Sequence, residues 1–251
     1  MIIVDGRAQL GPSINMKDTR IRGKDIIDNM DENGVQISLL QPMPSASAIE
    51  PKKLHDEAAD LCSKYQKRLF GLACIPPQIG RDNYFELADY CINKLGFIGL
   101  KYHCLFHGGG ARNPQAQYCW DAGKEFSVPV TIHTGLGIPL ALPSLYLPIF
   151  QNYPEVDFVL AHAGAWITVE EASLVSKMCP NVYIDTSWQY PQTLLGIIKE
   201  IGWEKMMMAS DFPSNLPMQL MLYNSIGLSV DQKKHCLGKL AIKLFNLKHR
   251  I

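Results

Sequence analysis

A single (β/α)8 TIM barrel of the α/β class, regular or distorted, is what this sequence predicts, and three observations predict it. Eight short runs are apolar on consecutive residues, the pattern of strands buried on both faces of a parallel sheet. Segments with apolar residues at helical spacing lie between them, so strands and helices alternate. The runs begin about every 25–35 residues, one βα unit apart, and 251 residues match the usual size of one such barrel. No low-complexity stretch or linker divides the chain, so residues 1–251 read as one domain. An open doubly wound sheet is the competing arrangement, because strand order is not written in any single run.

The elements follow in order. Ile2 to Val4 is the first run, and Asp5-Gly6-Arg7-Ala8-Gln9 comes after it. Ile37 to Gln41 is the second, followed by a loop over Pro42 to Ser47. In Pro51 to Leu69, Leu54, Ala58, Leu61 and Tyr65 share a helical face that leads into the third run, Leu69 to Ile75. Tyr84, Ala88, Cys91, Ile92 and Leu95 form one stripe before the fourth, Phe97 to Lys101. The loop Phe106 to Asn113, with Gly108-Gly109-Gly110, comes next. Val128 to His133, Phe158 to His162, Val182 to Asp185 and Met206 to Ser210 complete the set. Thr168-Val169-Glu170-Glu171 and Ser229-Val230-Asp231-Gln232 carry capping-box patterns, and so mark helix starts. The last helix is expected to bury Leu237, Leu240, Ala241 and Leu244. The loops after the second and fourth runs fall on the strand-carboxyl side, where a barrel carries its active site.

Composition removes several function classes. Lys plus Arg is 24 and Asp plus Glu is 24, so no overall field draws the chain to nucleic acid or to an anionic membrane. A neutral surface leaves self-association into a homo-oligomer open. Seven cysteines without a Cys-x-x-Cys pair argue against a zinc ribbon or a thioredoxin-like redox pair and for a reducing, cytoplasmic setting. Met1-Ile2-Ile3-Val4-Asp5 lacks a basic n-region and a long apolar stretch, so neither a signal peptide nor a membrane span is expected.

His133, His162 and Asp211 end the fifth, sixth and eighth runs. A barrel brings such ends into one cleft, and imidazole and carboxylate are ligands for Zn²⁺ and related ions. A bound ion would activate water and polarise a carbonyl, or Asp211 would act as the base. The plain alternative is a pair of polar strand-terminal histidines. Lys101 and His103 lie two residues apart on one face of a strand. If they point inward, they supply a carboxylate-binding cation and a titratable imidazole. Trp188, with Trp166 and Tyr190, offers a stacking wall. His107-Gly108-Gly109-Gly110 has the look of an esterase oxyanion loop, but no Gly-x-Ser-x-Gly elbow accompanies it. His55, His235 and His249 are expected to face solvent.

Ile132-His133-Thr134-Gly135, Leu160-Ala161-His162-Ala163-Gly164 and Ala209-Ser210-Asp211-Phe212-Pro213 resemble motifs at strands five, six and eight of the amidohydrolase superfamily. Gly96-Phe97-Ile98-Gly99-Leu100-Lys101 is similar to the strand-four motif of its aminocarboxymuconate-semialdehyde-decarboxylase-like branch. Leu237-Gly238 with Ala241 and Leu244-Phe245 is similar to that branch's last helix. The resemblance covers nearly the whole chain in the expected order, and Ser-Asp-x-Pro is its most specific piece. It implies a metal-assisted hydrolase or a non-oxidative decarboxylase. In that family the first strand ends in Asp-x-His-x-His, and both histidines bind metal. Here the matching stretch is Asp5-Gly6-Arg7-Ala8-Gln9. Guanidinium cannot ligate a cation, and an amide oxygen is a poor exchange for imidazole at zinc.

The leading expectation is therefore an amidohydrolase-like hydrolase of a small, carboxylated substrate with a degenerate or absent metal site. His133, His162 and Asp211 would be catalytic, and Arg7, Gln9, Lys101, His103 and Trp188 would bind substrate. Arg7 would take over the electrostatic role of the ion by pairing with Asp211 or with a substrate carboxylate. Two alternatives stand beside it. One is a decarboxylase with a weakly held zinc or other divalent ion on His133, His162 and Asp211. The other is a catalytically silent barrel that binds a small anion.

Overall fold

The computed structural model describes residues 1–13 and 20–251. Its strands are β1 (Val4–Pro12), β2 (Arg20–Ile21), β3 (Ile37–Pro42), β4 (Leu69–Gly71), β5 (Leu100–Tyr102), β6 (Val130–His133), β7 (Phe158–Ala161), β8 (Val182–Asp185) and β9 (Met206–Met207). Each of the eight predicted runs contains or enters one of these. The additional strand, β2, pairs antiparallel with the end of β1 through Gly11 and Ile21. The other eight are parallel, in two arcs ordered β1-β3-β4 and β5-β6-β7-β8-β9.

Two seams join the arcs. At the first, Ala73 bridges Leu100 in parallel, with Ala73 N donating to Gly99 O at 2.8 Å and Lys101 N to Ala73 O at 2.7 Å. At the second, Ala8 bridges Asp211, with Gln9 N to Asp211 O and Asp211 N to Arg7 O both at 2.9 Å. Eight parallel strands thus close on themselves, and the open-sheet alternative does not occur. A Cβ on Gly6 would lie 2.6 Å from Met207 Cε and 2.8 Å from Met208 O, so only glycine lets the first and last strands approach this closely.

The first strand differs from its expected length. The consecutive apolar run stops at Val4, yet β1 runs nine residues to Pro12, because Asp5, Arg7 and Gln9 find buried polar partners inside the barrel. Its register shifts between Asp5 and Ala8, a bulge of the kind that redirects side chains next to functional sites. Part of the Pro42–Ser47 loop is a short helix, Pro44–Ser47.

Around the barrel, Pro51–Lys64 buries Leu54 and Ala58 as the spacing predicts. His55, expected in solvent, is buried instead. Its Nδ1 lies 2.6 Å from Pro51 O, and its Nε2 accepts from Cys74 N at 2.8 Å, so the ring joins helix to strand. His235 is half-buried and His249 exposed. Six cysteines are buried and Cys62 is half-buried, all of them free thiols. Among the described residues no helix is long and apolar enough to cross a membrane.

One capping box forms and the other does not. Thr168 Oγ1 donates to Gly164 O at 2.7 Å instead of capping its helix. Ser229 and Gln232 cap reciprocally, at 2.8 and 3.3 Å. Ser229→Ala should therefore cost about 1 kcal/mol, read as a lower denaturant midpoint with unchanged slope.

Candidate active site

A cavity of about 370 Å³ opens at the strand carboxyl ends. All eight residues that the sequence singled out line it: Arg7, Gln9, Lys101, His103, His133, His162, Trp188 and Asp211. Trp166 and Tyr190 are exposed and lie outside that wall. Sequence reasoning missed Gln41, Met43, Phe106, Leu136 and Phe212 in the lining, and Asp185 and Ser187 beneath it. Asp185 carried a usable signal, since it ends an apolar run as Asp211 does. Met43 and Phe106 lie in the two loops expected on the active-site side and Phe212 in the strand-eight motif, but only the fold shows which of their side chains form the wall.

Arg7 occupies the floor, 1% exposed. Its Nε donates to Asp185 Oδ2 at 2.8 Å, its Nη1 to Asp211 Oδ1, and its Nη2 to Ser187 Oγ at 2.9 Å. Gln9 Nε2 donates to Asp211 Oδ1 at 2.7 Å and Trp188 Nε1 to Asp211 Oδ2 at 2.8 Å. Burial alone would raise the Asp211 pKa. The charge of Arg7, the His162 ring and the Trp188 and Gln9 hydrogen bonds outweigh it and hold the carboxyl well below the usual range. Asp211 is thus an anion with both oxygens committed to donors.

The histidines are neutral bases of low affinity for protons. Burial, reinforced by Lys101, pushes His133 down to about 3. Burial, reinforced by Arg7, lowers His162 well below its ordinary value. His133 Nε2 lies 2.7 Å from Leu136 O, a pure acceptor, so Nε2 carries the proton. Ser187 Oγ donates its single proton to Asp185 Oδ1 at 2.6 Å. His162 Nδ1 lies 2.9 Å from that hydroxyl and 3.4 Å from Arg7 Nη2, so this ring nitrogen is held in the network on the cavity floor. The His103 ring stacks on His133 at 4.0 Å between centroids, and His133 meets His162 edge-on at 5.0 Å.

Local backbone explains the motifs. A Cβ on Gly135, at φ +93°, would lie 2.4 Å from Gly164 C. The two histidine-bearing loops therefore touch through glycine, and Thr134 Oγ1 ties them by donating to Ala161 O at 2.7 Å and accepting from Gly164 N at 2.9 Å. His162, Trp188 and Asp211 all have positive φ, at 68°, 62° and 66°. Such conformations cost on the order of 1–3 kcal/mol each and cluster at functional sites.

The residues present do not fit a divalent ion. Among the described residues no group of three or more His, Cys, Asp or Glu is arranged to hold one, and the expected set of His133, His162 and Asp211 is not assembled. The reason is physical. Arg7 puts a fixed positive charge on Asp211 and 3.4 Å from His162 Nδ1, and it would repel each unit of charge on a second cation by roughly 4 kcal/mol at 4 Å and an effective dielectric of about 20. The double variant Arg7→His/Gln9→His should remove that repulsion and supply two imidazoles. Elemental analysis is expected to find about one divalent ion per chain in the variant and far less in the parent, as four-ligand sites require.

Lys101 is the other cation, also 1% exposed. Among the described residues its Nζ has no hydrogen-bond partner, nor has either amide atom of Gln41, and both residues line the cavity. Burial first, and then the charge of Arg7, bring the Lys101 ammonium down to about 7. Buried polar atoms are normally satisfied, so this pair marks where the cavity can receive a polar group.

Comparison with known proteins bears on these features. A family model described as amidohydrolase matches residues 44–247. The gamma-resorcylate decarboxylase of Polaromonas sp. (strain JS666 / ATCC BAA-500) is 24% identical over 302 aligned positions, covering 94% of this chain and 92% of the relative. A 2,6-dihydroxybenzoate decarboxylase solved with 2,6-dihydroxybenzoate superposes with TM-score 0.74 at 18% identity, over 98% of this chain and 99% of the other. A dihydroxybenzoic acid decarboxylase from Polaromonas sp. JS666, solved with manganese and 2-nitroresorcinol, gives 0.74 at 18% identity over 98% and 97%. These structural likenesses are likenesses of fold.

Proposed function

The chain belongs to the amidohydrolase family, and from that premise we propose that it is a carboxy-lyase. On this reading it releases CO2 from a small, planar carboxylate, with the Arg7 guanidinium supplying the fixed positive charge at the floor of the site. The observation that carries the reading is the pairing of unpartnered Lys101 and Gln41 donors with a cavity walled by Met43, Phe106, Leu136, Trp188 and Phe212. The donors suit the oxygens of a carboxylated ligand, and the walls suit a flat apolar body. An apolar wall also favours loss of CO2, because the charge of a carboxylate spreads out as the bond breaks.

Hydrolysis, the leading expectation from sequence, finds less support. It needs a base to take a proton from water. Asp211 accepts from Arg7, Gln9 and Trp188 and binds protons weakly, while His133 sits near 3. The carboxylated substrates named for the relatives point the same way. The test is bicarbonate release from a panel of hydroxybenzoates and 3-oxo acids, with and without a chelator. Chelator-insensitive release is expected. Ester or lactone hydrolysis without CO2 would overturn the reading. So would carboxylates that raise the melting temperature without any turnover, which is the behaviour of a silent anion-binding barrel.

A further inference from the structure

Lys101 holds a position that simple ion pairing does not account for. A buried lysine ordinarily pairs with a carboxylate or extends its amine to water. Two carboxylates lie beneath the cavity, but Arg7 engages both, through Nε to Asp185 and Nη1 to Asp211. Among the described residues Lys101 is left with no counter-ion, its Nζ buried and without partner in the cavity wall. The barrel seam fixes its backbone, with Lys101 N donating to Ala73 O at 2.7 Å, so the side chain projects from a rigid strand.

We infer that Lys101 is a covalent catalytic residue whose ε-amine forms an imine with the ketone of a 3-oxo carboxylate. This deepens the carboxy-lyase reading and rests on it. Desolvation and a neighbouring cation are the two devices that turn a lysine into a nucleophile near neutral pH, and both are present here: burial, and Arg7.

The chemistry balances without an oxidant or a metal. The amine nitrogen bonds to the ketone carbon, and the carbonyl oxygen leaves as water with the two amine protons. A proton from solvent converts the imine to an iminium. The bond from the adjacent carbon to the carboxylate then breaks, CO2 departs, and its electron pair neutralises the iminium as an enamine. The enamine carbon takes a proton, and water hydrolyses the resulting iminium to the ketone and free Lys101. The net change is one carboxylate and one proton converted to CO2 and a C–H bond. The requirement that the carboxylate sit on the carbon next to the ketone defines the substrate class. Nitrogen becomes the electron sink in a site where Arg7 disfavours a divalent ion.

The experiment is reductive trapping of the whole protein with acetoacetate and sodium cyanoborohydride, followed by peptide mapping. An N-isopropyl group on Lys101 is expected, formed after CO2 has left, and its loss in Lys101→Arg, which keeps the charge but cannot form the imine. A carboxylated adduct on Lys101, without CO2 release, would support the covalent lysine while overturning the carboxy-lyase reading. CO2 release with no adduct at Lys101 would overturn the lysine alone. Absence of both, or adducts scattered over surface lysines no slower than at Lys101, would also overturn it. Because the mapping is done on the unmutated chain, the inference does not depend on how the variant folds.

Discussion

Arg7→Ala is expected to lower folding stability by about 3–5 kcal/mol, the usual consequence of stripping one partner from a buried ion pair. For a chain of this size that is a fall in melting temperature of roughly 10 °C. The substitution strands Asp185 and Asp211, both buried and both paired to the same guanidinium, and removes donors to Ser187 as well. A surface pair provides the contrast. Lys177 and Glu200 are about half exposed, and Lys177→Ala should change stability by about 0.5 kcal/mol or less.

The pH dependence gives Arg7→Ala a distinctive signature. In the parent, Asp211 is held below its unfolded value by Arg7. Its contribution is complete above the unfolded pKa and is lost as pH falls toward the folded one. In the variant the burial of Asp211, no longer offset by Arg7, favours its neutral form, so the penalty of its charge is greatest at high pH and disappears on protonation. The stability difference between parent and variant should shrink as pH drops from 7 toward 4, measured by urea unfolding at each pH. A difference that stayed constant over that range would mean Arg7 acts through packing and not through charge.

Lys101→Met is expected to do the reverse and stabilise the fold. Burial and Arg7 bring the Lys101 pKa from 10.5 to about 7, which corresponds to a penalty of about 4–5 kcal/mol at neutral pH. Proton linkage sets the window. Between pH 7 and 10.5 the unfolded chain carries a proton on Lys101 that the folded chain has released, so stability rises with pH across that interval. The groups facing Lys101 in this balance are Arg7, Cys74, Asp185 and Asp211. Methionine fills similar space without a charge to desolvate. The variant should melt roughly 10 °C higher near pH 7, with the advantage gone by about pH 10.5. Stabilisation obtained by deleting a polar side chain from a cavity is a mark of a group retained for function at a cost in stability.

Much of the architecture was legible because burial has a sequence signature. A strand covered on both faces is apolar at every position, so eight runs marked eight barrel strands. Their ends marked the cavity, since parallel strands point their carboxyl termini one way. Where polar residues are buried by one another the signature fails. Arg7, Gln9 and Asp5 interrupt the first run, and the strand was read as ending at Val4 when it continues to Pro12. His55 was read as exposed for the same reason: its satisfaction by Pro51 O and Cys74 N is invisible until helix and strand meet.

The sequence by itself determined the fold class, the approximate places of the eight barrel strands and eight of the residues that line the cavity, because these follow from local apolar pattern, chain order and the motifs at the strand ends. It also showed that Arg7 and Gln9 stand where histidines would be expected. Only the tertiary structure decided what that exchange does. Whether Arg7 would pair with Asp211, with a substrate or with nothing depended on side chains separated by up to 204 positions in the chain. The barrel brings Asp185 and Asp211 to the same guanidinium, and in doing so leaves Lys101 without a counter-ion among the described residues. Partnership among buried charges is set by distance and desolvation, and neither is written in the order of residues along a chain.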